Sequence, residues 1–165
     1  MNGKRLLLHY IVITALALTY TAVLAQTGST ARLYCHAVGS SQSEPLGDRE
    51  GHSINDGQVT CRIEGGPADG SILTGINIIE WDKGNGVLLS GAGVTRKPGA
   101  TTAYQHSEGK ITLTMTDGKV TGSTASGRGR FTMATGSASA LNGKTYSFTA
   151  KTVGPGQTVV DVKYD

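Results

Sequence analysis

Short runs in which apolar and polar residues alternate recur from residue 31 onwards, and turn-forming dipeptides separate them. Alternation with a period of two is typical of half-buried β-strands, and after residue 25 no run shows the period of an amphipathic helix. The alternation is densest between residues 109 and 151. Asp117-Gly118 and Asn142-Gly143 are typical two-residue hairpin turns, because a type I′ turn needs positive φ at both central positions. The pattern therefore predicts a meander of antiparallel strands.

The runs predict strands over residues 31–38, 59–64, 71–82, 87–96, 101–107 and 159–164, with further strands inside the 109–151 meander. About eight to ten strands, nearly all in hairpin sequence, predict a small antiparallel β-barrel, because closure removes exposed sheet edges. A β-sandwich is the alternative architecture. A barrel in the outer membrane is a third, but that class needs strands of about ten residues and girdles of aromatic residues.

Residues 71–82 form the longest apolar run after the N-terminal segment, and its alternation breaks once. A β-bulge near Gly75 would place Leu73 and Ile78 on one inward face. Glu80 would continue that face, and Trp81 would lie on the opposite one. Without the bulge, Ile78 and Glu80 still share a face, so both readings of the strand align the carboxylate with apolar side chains.

Residues 39–58 are polar and rich in turn formers, with no apolar period. A loop of this length in a compact domain is usually functional or mobile. The first interpretation is a solvated connection between two strands. The second is a binding loop, which would present His52 and the charged residues beside it.

The N-terminus has the pattern of an export signal. Lys4 and Arg5 precede an uncharged, mostly apolar stretch, and Val23-Leu24-Ala25 ends it with the small-residue pattern of a cleavage site. The sequence predicts a signal peptide over residues 1–25, a single barrel domain over residues 26–165, and a secreted or periplasmic bacterial protein. A retained membrane anchor is the alternative.

Cys35 and Cys61 are the two cysteines of the chain. Each falls on the apolar face of its predicted strand, and an oxidising compartment favours a disulfide between them. Closing the intervening loop would stabilise the fold by about 3 kcal/mol. A redox or metal pair is the alternative, but it lacks a C-x-x-C spacing or a matching histidine cluster.

The charge balance narrows the class of partner. Without Lys4 and Arg5, 13 basic residues stand against 12 acidic ones, a net charge near zero. Nucleic acids and anionic membranes need a clustered basic field, so neither is an expected partner. The sequence shows no metal-binding, phosphate-binding or nucleophile motif, and we expect no metal and no cofactor.

Glu80, Tyr104 and His106 are the candidate catalytic residues. If all three point into an apolar barrel, desolvation would raise the pKa of the carboxyl and lower that of the imidazole, which suits proton transfer. The alternatives are a carboxylate at the barrel rim, an exposed histidine and a tyrosine that fills the interior. Tyr104 and Trp81 are the candidate ligand contacts.

Residues 127–148 carry Gly127-x-Gly129, then Thr135-Gly136, then Leu141-x-Gly143 before an aromatic strand. This order resembles small eight-stranded barrels of the allene oxide cyclase and dirigent type. The resemblance implies a barrel with a central apolar cavity, which that superfamily uses for cyclisation or for guiding coupling reactions. None of its catalytic motifs can be placed on this chain.

These observations support three hypotheses. The first is a secreted barrel that binds a small apolar ligand or serves a non-catalytic envelope role. The second is a cyclase- or isomerase-like enzyme that uses Glu80, Tyr104 and His106. The third is a self-associating surface protein, in which Thr- and Gly-rich strands form the contact.

Overall fold

The computed structural model describes residues 29–165, so the predicted signal peptide lies outside the described part of the chain. Eight antiparallel strands follow one another in chain order, and the last pairs with the first to close a barrel. The strands are β1 (Thr30–Pro45), β2 (His52–Glu64), β3 (Ile72–Asp82), β4 (Asn85–Lys97), β5 (Ala100–Thr116), β6 (Lys119–Ala134), β7 (Thr145–Gly154) and β8 (Gln157–Tyr164). The predicted all-β meander barrel is confirmed, and the sandwich alternative is wrong.

Strand β5 is longer than the runs that predicted it. Two separate runs, before and after residue 109, merge into this one strand, which carries a β-bulge between His106 and Glu108. A bulge inserts one residue and shifts the alternation by one, so a single strand reads as two runs of different phase. A second irregularity lies near the end of β5, where Thr121 of β6 is the extra residue. Met115 there is 55% exposed, whereas Ile111 and Leu113 line the interior.

The ladder between β4 and β5 is interrupted at mid-strand. The two strands pair on both sides of the interruption, but residues 88–91 do not pair with residues 106–109. At this level β4 has a bulge at Leu89, and β5 has its bulge at Ser107. Bulges disrupt the ladder and increase the local twist, which explains why the two strands lose their pairing here.

Residues 39–58 form a hairpin rather than the predicted solvated loop. β1 and β2 stay paired as far as Pro45 and Ser53, with an irregularity after Val38, and only residues 46–51 connect them. The prediction was wrong because β1 pairs with β8 only as far as His36. Beyond that point β1 is exposed on both faces, so no apolar period is required of it.

Strand β3 alternates regularly, so the predicted bulge near Gly75 is wrong. Its register with β2 runs from Ile72 to Asp82 without a shift. The inward positions are Leu73, Gly75, Asn77, Ile79 and Trp81. Glu80 therefore points outward and Trp81 inward, the reverse of the predicted phase. The irregularity belongs to the neighbouring strand, at Leu89 of β4.

One end of the barrel is closed by small and apolar side chains. A 3-10 helix, Gly136–Leu141, follows β6 and buries Ala138 and Leu141 there, beside Ala68 from the β2–β3 connection. Among residues 29–165, no helix is long and apolar enough to cross a membrane.

The two predicted hairpin turns differ in outcome. Asp117 and Gly118 join β5 to β6 with φ of 50° and 72°, as a type I′ turn requires. Asn142-Gly143 is not a two-residue hairpin, because it follows the 3-10 helix and Asn142 has φ of −59°. Asn142 instead accepts a hydrogen bond from the backbone N–H of Ala134.

Cys35 and Cys61 form the predicted disulfide. They lie directly opposite each other on β1 and β2, and both point inward, 7% and 3% exposed. The sulfurs thus join two adjacent strands within the core and close a segment with a sequence separation of 26 residues.

Candidate ligand-binding site

The inward side chains of the barrel enclose a cavity of about 330 Å³. All eight strands contribute apolar side chains to its wall. Leu33 and Phe131 are buried near the closed end, whereas Trp81, Ile111 and Leu113 at the other end are only partly buried. The cavity therefore reaches solvent at the end opposite the 3-10 helix.

Aromatic rings form one side of this cavity. The ring centroids of Tyr104 and His106 lie 5.3 Å apart, and those of His106 and Phe148 lie 4.9 Å apart. Phe131 and Tyr146 follow at 5.2 Å. Edge-on and tilted pairs at these distances are favourable, because the positive edge of one ring meets the negative face of the next. The cluster holds its polar atoms at fixed positions in an apolar wall.

Glycines on neighbouring strands make room for the rings. A Cβ atom added at Gly93 would lie 2.7 Å from the Tyr104 ring, and one added at Gly127 would lie 2.7 Å from Phe148. Favourable carbon–carbon contacts are at about 3.5–4.0 Å. The rings can lie across the adjacent strands only because these positions carry no side chain.

The titratable groups of the cavity are held neutral. Burial lowers the pKa of the His106 imidazole to about 4 and raises the pKa of Tyr104 to about 12. Burial and the neighbouring Tyr104 raise the pKa of Tyr146 as well. The Tyr146 hydroxyl lies 3.1 Å from His106 Nδ1, and because the imidazole is neutral, the hydroxyl can donate this hydrogen bond. The proton of His106 then resides on Nε2.

Asn77 adds an amide to the same wall. Its Oδ1 atom is buried and has no hydrogen-bond partner among the described residues. A Cβ atom added at Gly91 would lie 2.6 Å from this oxygen and would also collide with Cδ2 of His106. The Asn77 amide and the His106 imidazole thus pack over the same glycine, and both residues line the cavity.

No family model and no curated protein matches this chain. The resemblance to the allene oxide cyclase and dirigent barrels therefore stays a prediction. In this barrel the motif glycines have a packing role, since a Cβ atom at Gly127 would collide with Phe148 and one at Gly129 with Tyr146. Ring packing alone is a sufficient reason for the Gly-x-Gly pattern.

The structure brings together some of the predicted site residues but not all. Tyr104 and His106 meet inside the cavity, and Trp81 lines its open end. Glu80 does not join them: it lies on the outer face of the barrel, where its Oε1 is 2.7 Å from His52 Nε2. The predicted interior group of carboxylate, phenol and imidazole is therefore not assembled, because β3 has the opposite phase.

Sequence reasoning missed Tyr146 and Asn77. Tyr146 and Phe148 share one face of their run, so the inward direction of Tyr146 was predictable. Its contact with His106 depends on strand register, because the two residues pair with Gly129 of β6 from opposite sides. Asn77 breaks the apolar alternation of β3, which is a visible signal of an inward polar residue.

A charged cluster outside the cavity fixes the tip of the β1–β2 hairpin. The His52 imidazole is buried, and both of its nitrogens contact carboxylates. Nδ1 lies 2.5 Å from Asp48 Oδ1, and Nε2 lies 2.7 Å from Glu80 Oε1. Arg49 extends the cluster, donating to Asp48 at 2.5 Å and to Asp82 at 2.9 Å. Within residues 29–165 no group of three or more His, Cys, Asp or Glu side chains is placed to hold a metal ion.

We predict that this cluster loosens at alkaline pH. Hydrogen bonds to Glu80 and then to Asp48 raise the pKa of His52. Its stabilising contribution is therefore complete below about pH 6.5 and is lost as the pH rises through the raised value. The hydrogen bond with His52 also lowers the pKa of Asp48, so the stabilisation from the ionised Asp48 carboxylate is lost only in strong acid. Both Arg49 and Asp82 keep their charges across this window.

Amide hydrogen exchange of residues 46–51, compared at about pH 5.5 and about pH 8.5 after correction for intrinsic rates, measures the effect. Exchange should be faster at the higher pH in the wild type and independent of pH in His52→Gln. A local measurement is needed because His106, whose pKa is lowered, changes global stability in the opposite direction. Equal protection at both pH values in the wild type would contradict the prediction.

Proposed function

We propose that this protein binds a small, uncharged, mainly apolar molecule inside its barrel, and that it does so without catalysis. One observation carries the proposal: a cavity of about 330 Å³ that is lined by apolar side chains and open at one end. Ligand sites in proteins have volumes of about 300–1,000 Å³ and combine apolar walls with a few fixed polar groups.

Two features of the cavity indicate that its ligand is uncharged and mainly apolar. Its buried tyrosines and His106 are neutral at physiological pH, and the two lysines among the lining residues, Lys110 and Lys151, are exposed to solvent, so the interior offers no buried charge to pair with an ionised ligand. Transfer of an unpaired charge into such a site is costly, whereas an uncharged apolar molecule gains free energy from leaving water.

One feature supports binding over catalysis, and another supports a location outside the cytoplasm. The outward position of Glu80 removes from the cavity the carboxylate on which the isomerase hypothesis depends. The Cys35–Cys61 disulfide suits an oxidising compartment, in agreement with the predicted export signal.

We predict that N-phenylnaphthylamine, a fluorescent apolar probe, binds the wild-type protein saturably. Trp81 is the single tryptophan of the chain and lines the open end of the cavity, so its emission should be quenched in the same titration. Ala125→Phe, on the inner face of β6, should abolish binding by filling the cavity. Thr124→Phe, its exposed neighbour on the outer face, is the matched control and should bind normally.

Either of two results would contradict the proposal. One is a lack of saturable binding to the wild type, and the other is equal binding to Ala125→Phe and Thr124→Phe. Native mass spectrometry of protein purified without denaturation gives an independent measurement, because a bound small molecule should leave on unfolding.

Self-association is a second candidate function, favoured by the outer face of β3. Ile72, Ile76 and Ile78 there are 49%, 42% and 36% exposed, and Leu89 on the adjacent β4 is 50% exposed. Contiguous exposed apolar residues mark interaction sites, and a second copy of this chain is the simplest partner. Light scattering should show a dimer or larger species that Ile76→Lys converts to monomer; a monomeric wild type would exclude this function.

A further inference from the structure

We propose that the cavity is specific for an apolar molecule that carries a hydroxyl group, and that this hydroxyl binds between the Asn77 amide and the His106 imidazole. The inference rests on the proposed ligand-binding function and specifies the ligand of that same cavity.

The first argument is the unpaired amide. Asn77 Oδ1 is buried on the inward face of β3 and has no hydrogen-bond partner among the described residues. A buried polar atom without a partner costs stability, and most such atoms in folded proteins are paired. A ligand that donates a hydrogen bond to this oxygen would remove the cost on binding.

The second argument is the neighbouring imidazole. We assign the Tyr146 hydroxyl as the donor to Nδ1 of the neutral His106 ring, 3.1 Å away, and this assignment leaves the Nε2–H group as a donor. Nε2 is bonded to Cδ2, the atom that a side chain at Gly91 would strike together with Asn77 Oδ1. The imidazole and the amide therefore lie side by side over Gly91, and both residues line the cavity.

The third argument is the match between this pair and a hydroxyl group. A hydroxyl can donate to Asn77 Oδ1 and accept from His106 Nε2–H at the same time. An ether can only accept, and a carboxylate would face an unpaired acceptor with no buried positive charge beside it, since Lys110 and Lys151 are exposed to solvent. The rest of the cavity, from Trp81 to Phe148, offers apolar surface to the remainder of the ligand.

Displacement of N-phenylnaphthylamine by three eight-carbon compounds tests the inference: octanol, its isomeric ether methoxyheptane, and octanoate. Octanol should bind the wild type about five- to tenfold more tightly than methoxyheptane, the effect of one hydrogen bond to a buried acceptor. Octanoate should bind more weakly than octanol.

The variant Asn77→Leu should reduce the ratio between octanol and methoxyheptane to near one, while Asn85→Leu, at the exposed start of β4, should preserve it. Asn77→Leu should also make the free protein more stable, since it removes the unpaired oxygen.

A wild-type ratio near one would overturn the inference while leaving the proposed function intact, and so would a ratio that survives in Asn77→Leu. The wild-type ratio needs no variant, so the inference remains testable if Asn77→Leu does not fold. If N-phenylnaphthylamine and all three compounds fail to bind, the proposed function and the inference fall together.

Discussion

Replacing Cys35 and Cys61 together with alanine is expected to lower the free energy of unfolding by about 3.5 kcal/mol, the largest effect that we predict for any simple change in this barrel. The disulfide closes a segment with a sequence separation of 26 residues. In the chain-entropy account, opening that loop returns conformational freedom to the unfolded state. The cystine is also buried, so the truncated side chains leave unfilled space between β1 and β2.

Urea unfolding monitored by circular dichroism measures this change, with and without a reducing agent. The reductant should destabilise the wild type but leave the double alanine variant unaffected, which separates loss of the cross-link from loss of packing. A change below about 1 kcal/mol would contradict this account.

Gly75→Ala is expected to destabilise the barrel by about 1–3 kcal/mol, as overpacking of a filled interior does. The added methyl group would collide with the hydroxyl oxygen of Tyr104 and would lie 3.1 Å from the backbone oxygen of Ala92, while the Tyr104 Cζ atom would remain at an ordinary 3.5 Å. Tyr104→Phe removes the colliding hydroxyl oxygen but leaves the Ala92 contact. The double variant should therefore recover part of the lost stability.

A double-mutant cycle of Gly75→Ala and Tyr104→Phe, followed by urea unfolding, measures the coupling directly. Gly57→Ala is the matched control, because Gly57 lies on β2 with no atom nearer than 3.9 Å to the added Cβ. It should be neutral or slightly stabilising, since alanine reduces the entropy of the unfolded chain. If the effects of the two substitutions on the free energy of unfolding are additive, room for the Tyr104 side chain is not the reason for a glycine at position 75.

Much of the fold could be predicted from local patterns. The strand predicted over residues 159–164 is present, and the face shared by Val160, Val162 and Tyr164 lines the cavity. The opposed apolar faces around Cys35 and Cys61 predicted their pairing, and Asp117-Gly118 predicted its turn. Each of these features depends on a few consecutive residues, because the two-residue period of a strand and short-range steric contacts determine it.

The errors have a common origin in interactions between strands. The phase of β3 was misread because its apparent break near Gly75 is not a bulge: Gly75 and Asn77 are inward positions, and the real bulge is in β4. The alternative of an exposed His106 is wrong, because the turn-like stretch that follows it is the β5 bulge and not a turn. Which side chains meet inside a closed barrel depends on register and shear, and neither is encoded in a single run.

The candidate site was only half predictable for the same reason. Tyr104 and His106 share a strand and a face, so their proximity follows from spacing alone. Their contact with Tyr146 requires that β7 be brought close to β5, and the role of Asn77 requires a glycine on yet another strand. Polar interior residues such as Asn77 are visible in sequence as breaks in an apolar face, but their partners are not.

The interrupted ladder between β4 and β5 bears on how a ligand could exchange. Where residues 88–91 and 106–109 do not pair, that seam of the barrel wall lacks backbone hydrogen bonds, and local opening costs least where such bonds are few. The seam runs beside His106 and Gly91, next to the polar pair of the cavity. The residence time of a ligand would then depend on how often this segment opens locally rather than on global unfolding. A substitution that restored pairing here would slow ligand entry and release together and leave the affinity nearly unchanged.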